Sequence, residues 1–408
     1  MSASQPSNVS VLDRWQAADA AICSTALALR AYSSRLIGRD SSLVLYGGGN
    51  TSLKQDGVLY VKGTGRNLAN VTADDLTPLD WGRLKQLLDD HSRSESELMA
   101  AVDDCVIRPD TPRPSIETYM HAAIDRRYVE HAHADAVLAL FNVADPVGLC
   151  RAVFGDAVRV VPYRHSGIAL GRACRDVLRQ NDAAGVTGLI LAFHGVVAFG
   201  DSAESSYRNL LTIVNTAEQY LREHGAWHLP DTPPQLPETR EDAHDQCLET
   251  LQDAISRVAG VPLQRTRVTT PLSLAFALHP ELSSMATQGP PTPQHAIYTK
   301  RVPMIGRNVN EYSDNYAAYL RQHLGNTAQE YIDPAPRVVV DPRFGFCAFG
   351  VNAHYADITA EIFVHDMAIM LRAQAHAGYR AAPAADIARA ELEYGGFEQP
   401  FRKSQIAP

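Results

Sequence analysis

Tyr128-Val129-Glu130-His131-Ala132-His133 is the stretch on which fold and chemistry both turn. Its composition predicts a β-strand, and side chains alternate faces along a strand. Two imidazoles separated by one residue therefore leave the same face and can converge on one ion. A catalytic metal ordinarily takes three protein ligands and keeps a further position open, so a third ligand is required. His194 is the candidate. It stands where Gly188-Leu189-Ile190-Leu191-Ala192-Phe193 meets Gly195-Val196-Val197-Ala198-Phe199-Gly200, a pattern that predicts two strands joined at a His-Gly turn. There Gly195 permits close approach. Glu117 is a fourth element, near the start of a predicted short helix that Pro112 and Pro114 open and that carries Ile116, Tyr119, Met120 and Ala123 on one face. A helix start favours a charged carboxylate. Taken singly, any of the 15 histidines is ordinarily a surface or core residue, and Glu117 a solvated helix-start residue.

Outward from this stretch, Trp15, Ala18, Ile22, Ala26 and Leu29 recur at helical spacing and predict one long helix over residues 11–36. Leu43-Val44-Leu45-Tyr46 predicts a strand running into Gly47-Gly48-Gly49-Asn50-Thr51-Ser52. A strand pair around Val58-Leu59-Tyr60-Val61 ends in Lys62-Gly63-Thr64-Gly65. The glycine run reads as a tight turn or as an anion cradle of exposed backbone N–H groups. It is not a dinucleotide fingerprint, because the spacing and the following helix are absent. After Gly200, Asp201-Ser202-Ala203-Glu204 reads as a capping box for a helix with Tyr207, Leu210, Leu211, Val214 and Leu221 on one stripe. His224-Gly225 closes it. Pro230, Pro233, Pro234 and Pro237 then mark a composition shift. The domains expected are a disordered start (1–10), a metal-binding catalytic domain (11–225), a Pro-rich linker (226–240) and a second α/β domain (241–408). In the last, Arg337-Val338-Val339-Val340-Asp341 and Gly345-Phe346-Cys347-Ala348-Phe349-Gly350 predict strands, and residues 353–377 a helix.

A formal net charge of -9, without any run of Lys or Arg, argues against a nucleic-acid partner and for a small molecule. The six cysteines are scattered without a Cys-x-x-Cys pair and read as reduced thiols. The polar start MSASQPSNVS lacks the order of a signal peptide. No apolar run reaches the roughly 18 to 20 residues that span a bilayer. No membrane association and a cytoplasmic location are expected.

Gly48-Gly49-Asn50-Thr51-Ser52, Lys62-Gly63-Thr64-Gly65, Arg113-Pro114-Ser115-Ile116-Glu117, His131-Ala132-His133 and His194-Gly195 follow one another in an order that resembles the class II aldolase/adducin family. The 14-residue step from Glu117 to His131 resembles the rhamnulose-1-phosphate aldolase part of bifunctional aldolase/dehydrogenase proteins more than the fuculose-phosphate aldolases. The similarity continues through Gln288-Gly289-Pro290-Pro291-Thr292-Pro293-Gln294-His295 and Thr299-Lys300-Arg301-Val302-Pro303 to Glu393-Tyr394-Gly395-Gly396-Phe397-Glu398.

The resemblance implies a three-layer α/β/α fold with a second, smaller C-terminal α/β domain. It implies that His131, His133 and His194 hold a divalent ion, zinc first and Mn2+, Co2+ or Fe2+ as alternatives, with Glu117 as the acid/base. Gly49, Asn50, Thr64, Gly65 and Ser115 resemble the substrate-phosphate pocket. Ile116 replaces the second serine of the fuculose-phosphate relatives, a loss for which Lys62 and Arg66 can compensate. His295, Tyr298 and Lys300 are either substrate contacts or residues with local roles, the latter preferred. His121 is expected as a structural partner near Glu117, and His165 as a surface or loop residue. A homo-oligomer is implied. The chain ends at Pro408, where the bifunctional relatives continue into a dehydrogenase, so no nicotinamide is expected. The activity implied is reversible aldol cleavage of a ketose 1-phosphate, or a related sugar, into a dihydroxyacetone-like fragment and an aldehyde. Decarboxylation of an oxo sugar acid and epimerisation of a sugar phosphate need the same three histidines. An adducin-like scaffold would lack them.

Overall fold

The computed structural model describes residues 10–180, 185–234, 241–326 and 332–398. The expected disordered start falls almost wholly outside the described residues, as does the 235–240 end of the expected linker. The chain forms two compact units. Among the described residues, the first comprises 10–141 and 145–223, the second 142–144 and those from 224 to 398.

The first unit is built on seven strands: β1 (Asn50–Gln55), β2 (Val58–Lys62), β3 (Leu76–Asp80), β4 (Tyr128–Ala132), β5 (Val158–Val161), β6 (Gly188–Leu191) and β7 (Gly195–Gly200). They lie in the order β3-β2-β1-β4-β7-β6-β5, antiparallel throughout except for the β5–β6 pair. Asp56 and Gly57, both at positive φ, make the two-residue turn of the β1–β2 hairpin.

Strand alternation on β4 divides the layers. Val129 packs with Met120, Leu170, Cys174, Val197 and Phe199, so this face meets the helices Thr118–Ala123 and Ile168–Arg179. Glu130 points the other way, into the layer of the helices Ala26–Gly38 and Ala203–Glu223. There Arg30 pairs with it through two 2.7 Å contacts, and the Ser206 hydroxyl donates to it at 2.7 Å. Both ions are fully buried, which is tolerable because geometry and hydrogen bonding are complete. The result is the three-layer α/β/α arrangement, and it puts His131, in step with Val129, on the face of the Thr118–Ala123 helix.

Four local expectations are corrected. Residues 11–36 form two helices, Ala17–Ile22 and Ala26–Gly38. Thr25 is extended and its side chain caps the second by accepting from Ala28 N at 3.1 Å. Gln16 N donates to the Tyr32 hydroxyl, and Trp15 packs edge-on against Tyr32, so the chain folds back instead of continuing straight. Leu43-Val44-Leu45-Tyr46 is a turn: Leu43 N and Val44 N both donate to Asp40 O, and Tyr46 has φ 48°. Its apolar signal reports burial of Leu43 and Val44, not a strand. The cap of the Ala203–Glu223 helix is reciprocal between Ser202 and Ser205, one residue later than the expected box. The Pro112–Pro114 segment does not begin the helix. Thr77 and Thr64 hydroxyls donate to Pro112 O and Pro114 O, strapping it to the β-layer, and helix starts only at Thr118.

The second unit is a smaller sheet, β8-β11-β10-β9, from β8 (Gln264–Val268), β9 (Met304–Ile305), β10 (Val338–Asp341) and β11 (Gly345–Gly350). Val338, Val340, Phe346 and Ala348 pack on Phe363, Val364 and Met367 of the helix Ala353–Ala377. Val339, Cys347 and Phe349 face Leu248, Leu251 and Ile255 of the helix Glu241–Ala259. Trp227, inside the Pro-rich stretch, is buried: its carbonyl accepts from Arg372, whose guanidinium lies 3.5 Å from its ring centroid. All six cysteines are free thiols. Among the described residues no helix is long and apolar enough to cross a membrane.

Lys54 on β1 provides a stability test. It is buried, donating to Arg126 O at 3.1 Å. Burial pushes its ammonium down to about 7, with Asp125 opposing and Lys85 adding to the shift. Between pH 7 and the ordinary lysine value the unfolded chain binds the extra proton, so this group's contribution to stability rises with pH in that window and is most adverse below pH 7. Lys54→Met is expected to be more stable than wild type at pH 7, an advantage that shrinks by about 1.4 kcal/mol per pH unit up to pH 9.5. Urea melts of both proteins across that range check it; a pH-independent difference would contradict it.

Candidate metal centre

Antiparallel register builds the site. Asn50 lies opposite His131 across β1–β4, and Val197 lies opposite His131 across β4–β7. His133 follows at the end of β4, two residues on. His194 comes from the β6–β7 hairpin, where Leu191 pairs with Gly195 and His194 N donates to Leu191 O at 3.0 Å. Phe193 adopts φ 54°, a left-handed conformation that a non-glycine residue holds only under constraint. Gly195 leaves no room for a side chain: a Cβ there would collide with Ala132 O and lie 3.0 Å from His133 Cδ2. Gly49 (φ 63°) is similarly required, its missing Cβ lying 2.7 Å from His131 O. Gly195→Ala is expected to cost about 1–3 kcal/mol by overpacking and to weaken metal retention through His133. Urea denaturation and metal content measured together check this.

The three imidazoles are buried, and one ligand nitrogen from each lies within 4.8 Å of the others. Ring centroids are 4.9, 4.9 and 5.2 Å apart. His131 Nδ1 meets Val196 O at 3.0 Å. A carbonyl only accepts, so the proton sits on Nδ1 and Nε2 presents its lone pair to the cluster. His131 is held neutral: burial pushes it down to about 4, against the pull of the Glu117 carboxylate. Its Nε2 lies 3.2 Å from His133 Nε2 and 3.4 Å from Glu117 Oε2.

Glu117 completes the cluster. Oε1 is 2.9 Å from His194 Nε2 and accepts from Ser166 Oγ at 3.3 Å; Oε2 accepts from Asn50 Nδ2 at 2.5 Å. Burial alone would raise its pKa, but His131, His194 and His133 together bring the carboxyl well below its ordinary range. Asn50 is itself fixed. Its Oδ1 accepts from His121 Nε2 and its Nδ2 also reaches Ser115 Oγ at 3.2 Å. With the proton of His121 on Nε2, Nδ1 accepts from the Ser52 hydroxyl at 2.8 Å. Burial keeps His121 neutral, well below its ordinary value. A chain Ser52–His121–Asn50–Glu117 thus orients the carboxylate.

The cluster is rich in lone pairs and poor in donors, and such a set suits a divalent cation of the zinc, manganese, cobalt or iron kind. These side chains could hold one.

Of the expected pocket residues, Asn50 and Ser115 gather at Glu117. Thr64 Oγ1 donates to Pro114 O at 2.9 Å, and Gly65 (φ 72°) has open space around it. Lys62 is buried and donates to Gly47 O at 3.1 Å and Arg66 O at 2.7 Å, tying the two glycine-rich loops together. Arg66 is half exposed and pairs with Asp75. His165 is in a loop but buried, not at the surface. In the second unit, His295 has a distant partner instead of a local one, Asp366 at 2.6 Å, while Lys300 pairs with Glu391 at 2.8 Å. The sequence reading did not find Ser52 or Ser166; a serine carries no spacing signal that marks it as a carboxylate or imidazole partner.

The first unit is thus an α/β/α frame carrying a buried three-histidine cluster with a carboxylate beside it. Residues 29–221 match the model of the class II aldolase and adducin N-terminal domain, and residues 242–400 that of the aldolase class II second domain. The chain belongs to the class II aldolase and adducin family. It is 25% identical over 375 residues to the Bacillus subtilis protein described as uncharacterized oxidoreductase YuxG, covering 84% of this chain but only 54% of that relative's length. Among solved structures, it is similar to the N-terminal class II aldolase domain of a conserved Thermoplasma acidophilum protein (30% identity, 49% of this chain and 95% of that one, TM-score 0.45). It is also similar to the L-fuculose-1-phosphate aldolase of Thermus thermophilus (20% identity, 48% and 96%, TM-score 0.34).

Proposed function

We propose that the chain is a divalent-metal-dependent lyase that reversibly cleaves a ketose 1-phosphate, or a related ketose, into a dihydroxyacetone-like fragment and an aldehyde. His131, His133 and His194 are the proposed ligands, zinc the first choice of ion, and Glu117 the acid/base. When bound, the ion supplies the positive charge that stabilises the enediolate left as the carbon–carbon bond breaks. The observation that carries the reading is the placement of Glu117: one buried carboxylate within 3.4 Å of both His131 and His194 and fixed by Asn50.

An ionised carboxylate can act as a base. In the synthesis direction Glu117 takes a proton from the carbon next to the ketone; in cleavage it returns that proton to the same carbon. Asn50 and Ser166 stabilise the ionised form, and the neutral His121 holds Asn50 in register. Gly49, Thr64, Gly65 and Ser115, with Lys62 bracing the loops, are proposed to receive the phosphate or terminal hydroxyl end through backbone N–H and hydroxyl donors. A homo-oligomer accompanies this reading, on the family resemblance.

The test is a product assay over phosphorylated and free ketoses and oxo sugar acids, with dihydroxyacetone phosphate, aldehyde and carbon dioxide read in parallel. Dihydroxyacetone phosphate with an equal amount of aldehyde supports the lyase. Carbon dioxide alone would move the reaction to a decarboxylase.

A further inference from the structure

A pocket of about 280 Å³ opens in the first unit at the end of β4 remote from the imidazoles. Asp125 and Arg126, which line it, precede β4, whereas His133 follows it. Its walls come from the C-terminal parts of three helices, Trp81–Asp89, Thr118–Ala123 and Ile168–Arg179. Such a volume is at the small end of ligand pockets, so it takes a small molecule and not a polymer. The lining carries four cations, Lys85, Arg126, Arg175 and Arg179, against two carboxylates, Asp89 and Asp125. In a chain of formal net charge -9, a local positive excess calls for a cause.

Helix ends offer a partial one, because the carbonyls left over at a helix C-terminus attract cations. Arg175 Nη1 donates to Leu88 O at 3.2 Å, beside Arg172 Nε at 3.0 Å, and pairs with Asp89 at 2.5 Å. Arg175 Nε meets Asp176 at 3.1 Å. Ala122 O is taken by Trp81 Nε1 at 3.0 Å. With those carbonyls occupied, donors are left over. The Arg175 side chain is only 13% exposed, yet its Nη2 makes no hydrogen bond among the described residues. Arg179, one turn further along the same helix face, forms neither an ion pair nor a hydrogen bond there. Lys85 Nζ lies 4.0 Å from the centroid of the Trp81 ring and has no carboxylate partner among the described residues.

We propose that this pocket is a second ligand site, taking a small phosphate monoester that also carries hydroxyl groups. Guanidinium forks match phosphate oxygens, and Arg175, Arg179 and Lys85 supply the unused donors. The Asp125 carboxylate makes no hydrogen bond among the described residues and is an acceptor for a ligand hydroxyl. The proposal is independent of the metal-centre chemistry.

The indole N–H signals of the full chain, followed by NMR as glycerol 3-phosphate is added at constant ionic strength, test it. The three tryptophans give three such signals, and Trp81→Phe identifies that of Trp81. Its N–H bonds to Ala122 O, and Ala122 lines the pocket, so this signal reports occupancy. A saturable shift is expected. Its midpoint should rise at least about tenfold in Lys85→Glu and in Arg179→Glu, exposed positions at which thermal melts confirm folding. It should stay unchanged in Ser115→Ala, which alters the pocket proposed at the metal centre. Inorganic phosphate is expected to bind more weakly than the ester. No saturable shift in wild type, an equal response to chloride, a native midpoint in either charge reversal, or a midpoint that moves with Ser115→Ala would overturn the site. Inorganic phosphate binding as tightly as glycerol 3-phosphate would overturn the choice of an ester.

Discussion

Glu117→Gln is expected to lower kcat on the order of 10²–10⁴-fold, the usual worth of a positioned acid/base, while the purified protein keeps its divalent metal. The substitution preserves volume and planarity. The glutamine oxygen can still accept from Asn50, as Oε2 does at 2.5 Å in the native chain, so the fold should be retained. What is lost is the ability to bind and release a proton next to His194. Steady-state kinetics and metal content on one preparation separate the two effects. Unchanged kcat with full metal would remove Glu117 from the chemistry.

His131→Gln is expected to have the opposite profile. It keeps a buried polar side chain of similar size but withdraws the lone pair that the Val196 hydrogen bond presents to the cluster. Changes to residues that merely support a ligand cost metal affinity about 10–100-fold, so loss of a ligand itself should exceed 100-fold and reduce turnover to background. Added metal should partly restore activity if the site persists. Metal titration followed by melting temperature checks this, because an ion that binds only the folded state raises it. A native affinity in His131→Gln would show that the ion sits elsewhere.

How much of this was legible in the sequence follows from which interactions are local. Periodicity gave the strand Tyr128–Ala132, one residue shorter than expected, the hairpin around His194 and the helix Ala353–Ala377, because those signals repeat within a few residues. It misread residues 11–36 because a three-residue break, capped by Thr25 and fixed by contacts to Tyr32, interrupts a pattern that otherwise continues. It misread Leu43-Val44-Leu45-Tyr46 because burial and strand formation favour the same residue types. The Asn50–Glu117 hydrogen bond joins residues 67 apart, and His295 meets Asp366 71 residues away. No local spacing encodes either. The same holds for Ser166, which reaches Glu117 from 49 residues on. Glycine was more informative. Gly49 stood beside the candidate pocket residue Asn50 and Gly195 beside the candidate ligand His194, and the structure gives the reason: any side chain there would strike the backbone of β4.

The central claim is that His131, His133 and His194 hold a divalent ion. Elemental analysis of the full chain after gel filtration tests it most directly, with His131→Gln and His194→Gln prepared alongside. The account predicts about one divalent ion per wild-type chain, as for a single three-histidine site, and little in either variant. A wild-type chain that stays metal-free even after incubation with zinc, manganese, cobalt and iron would contradict it.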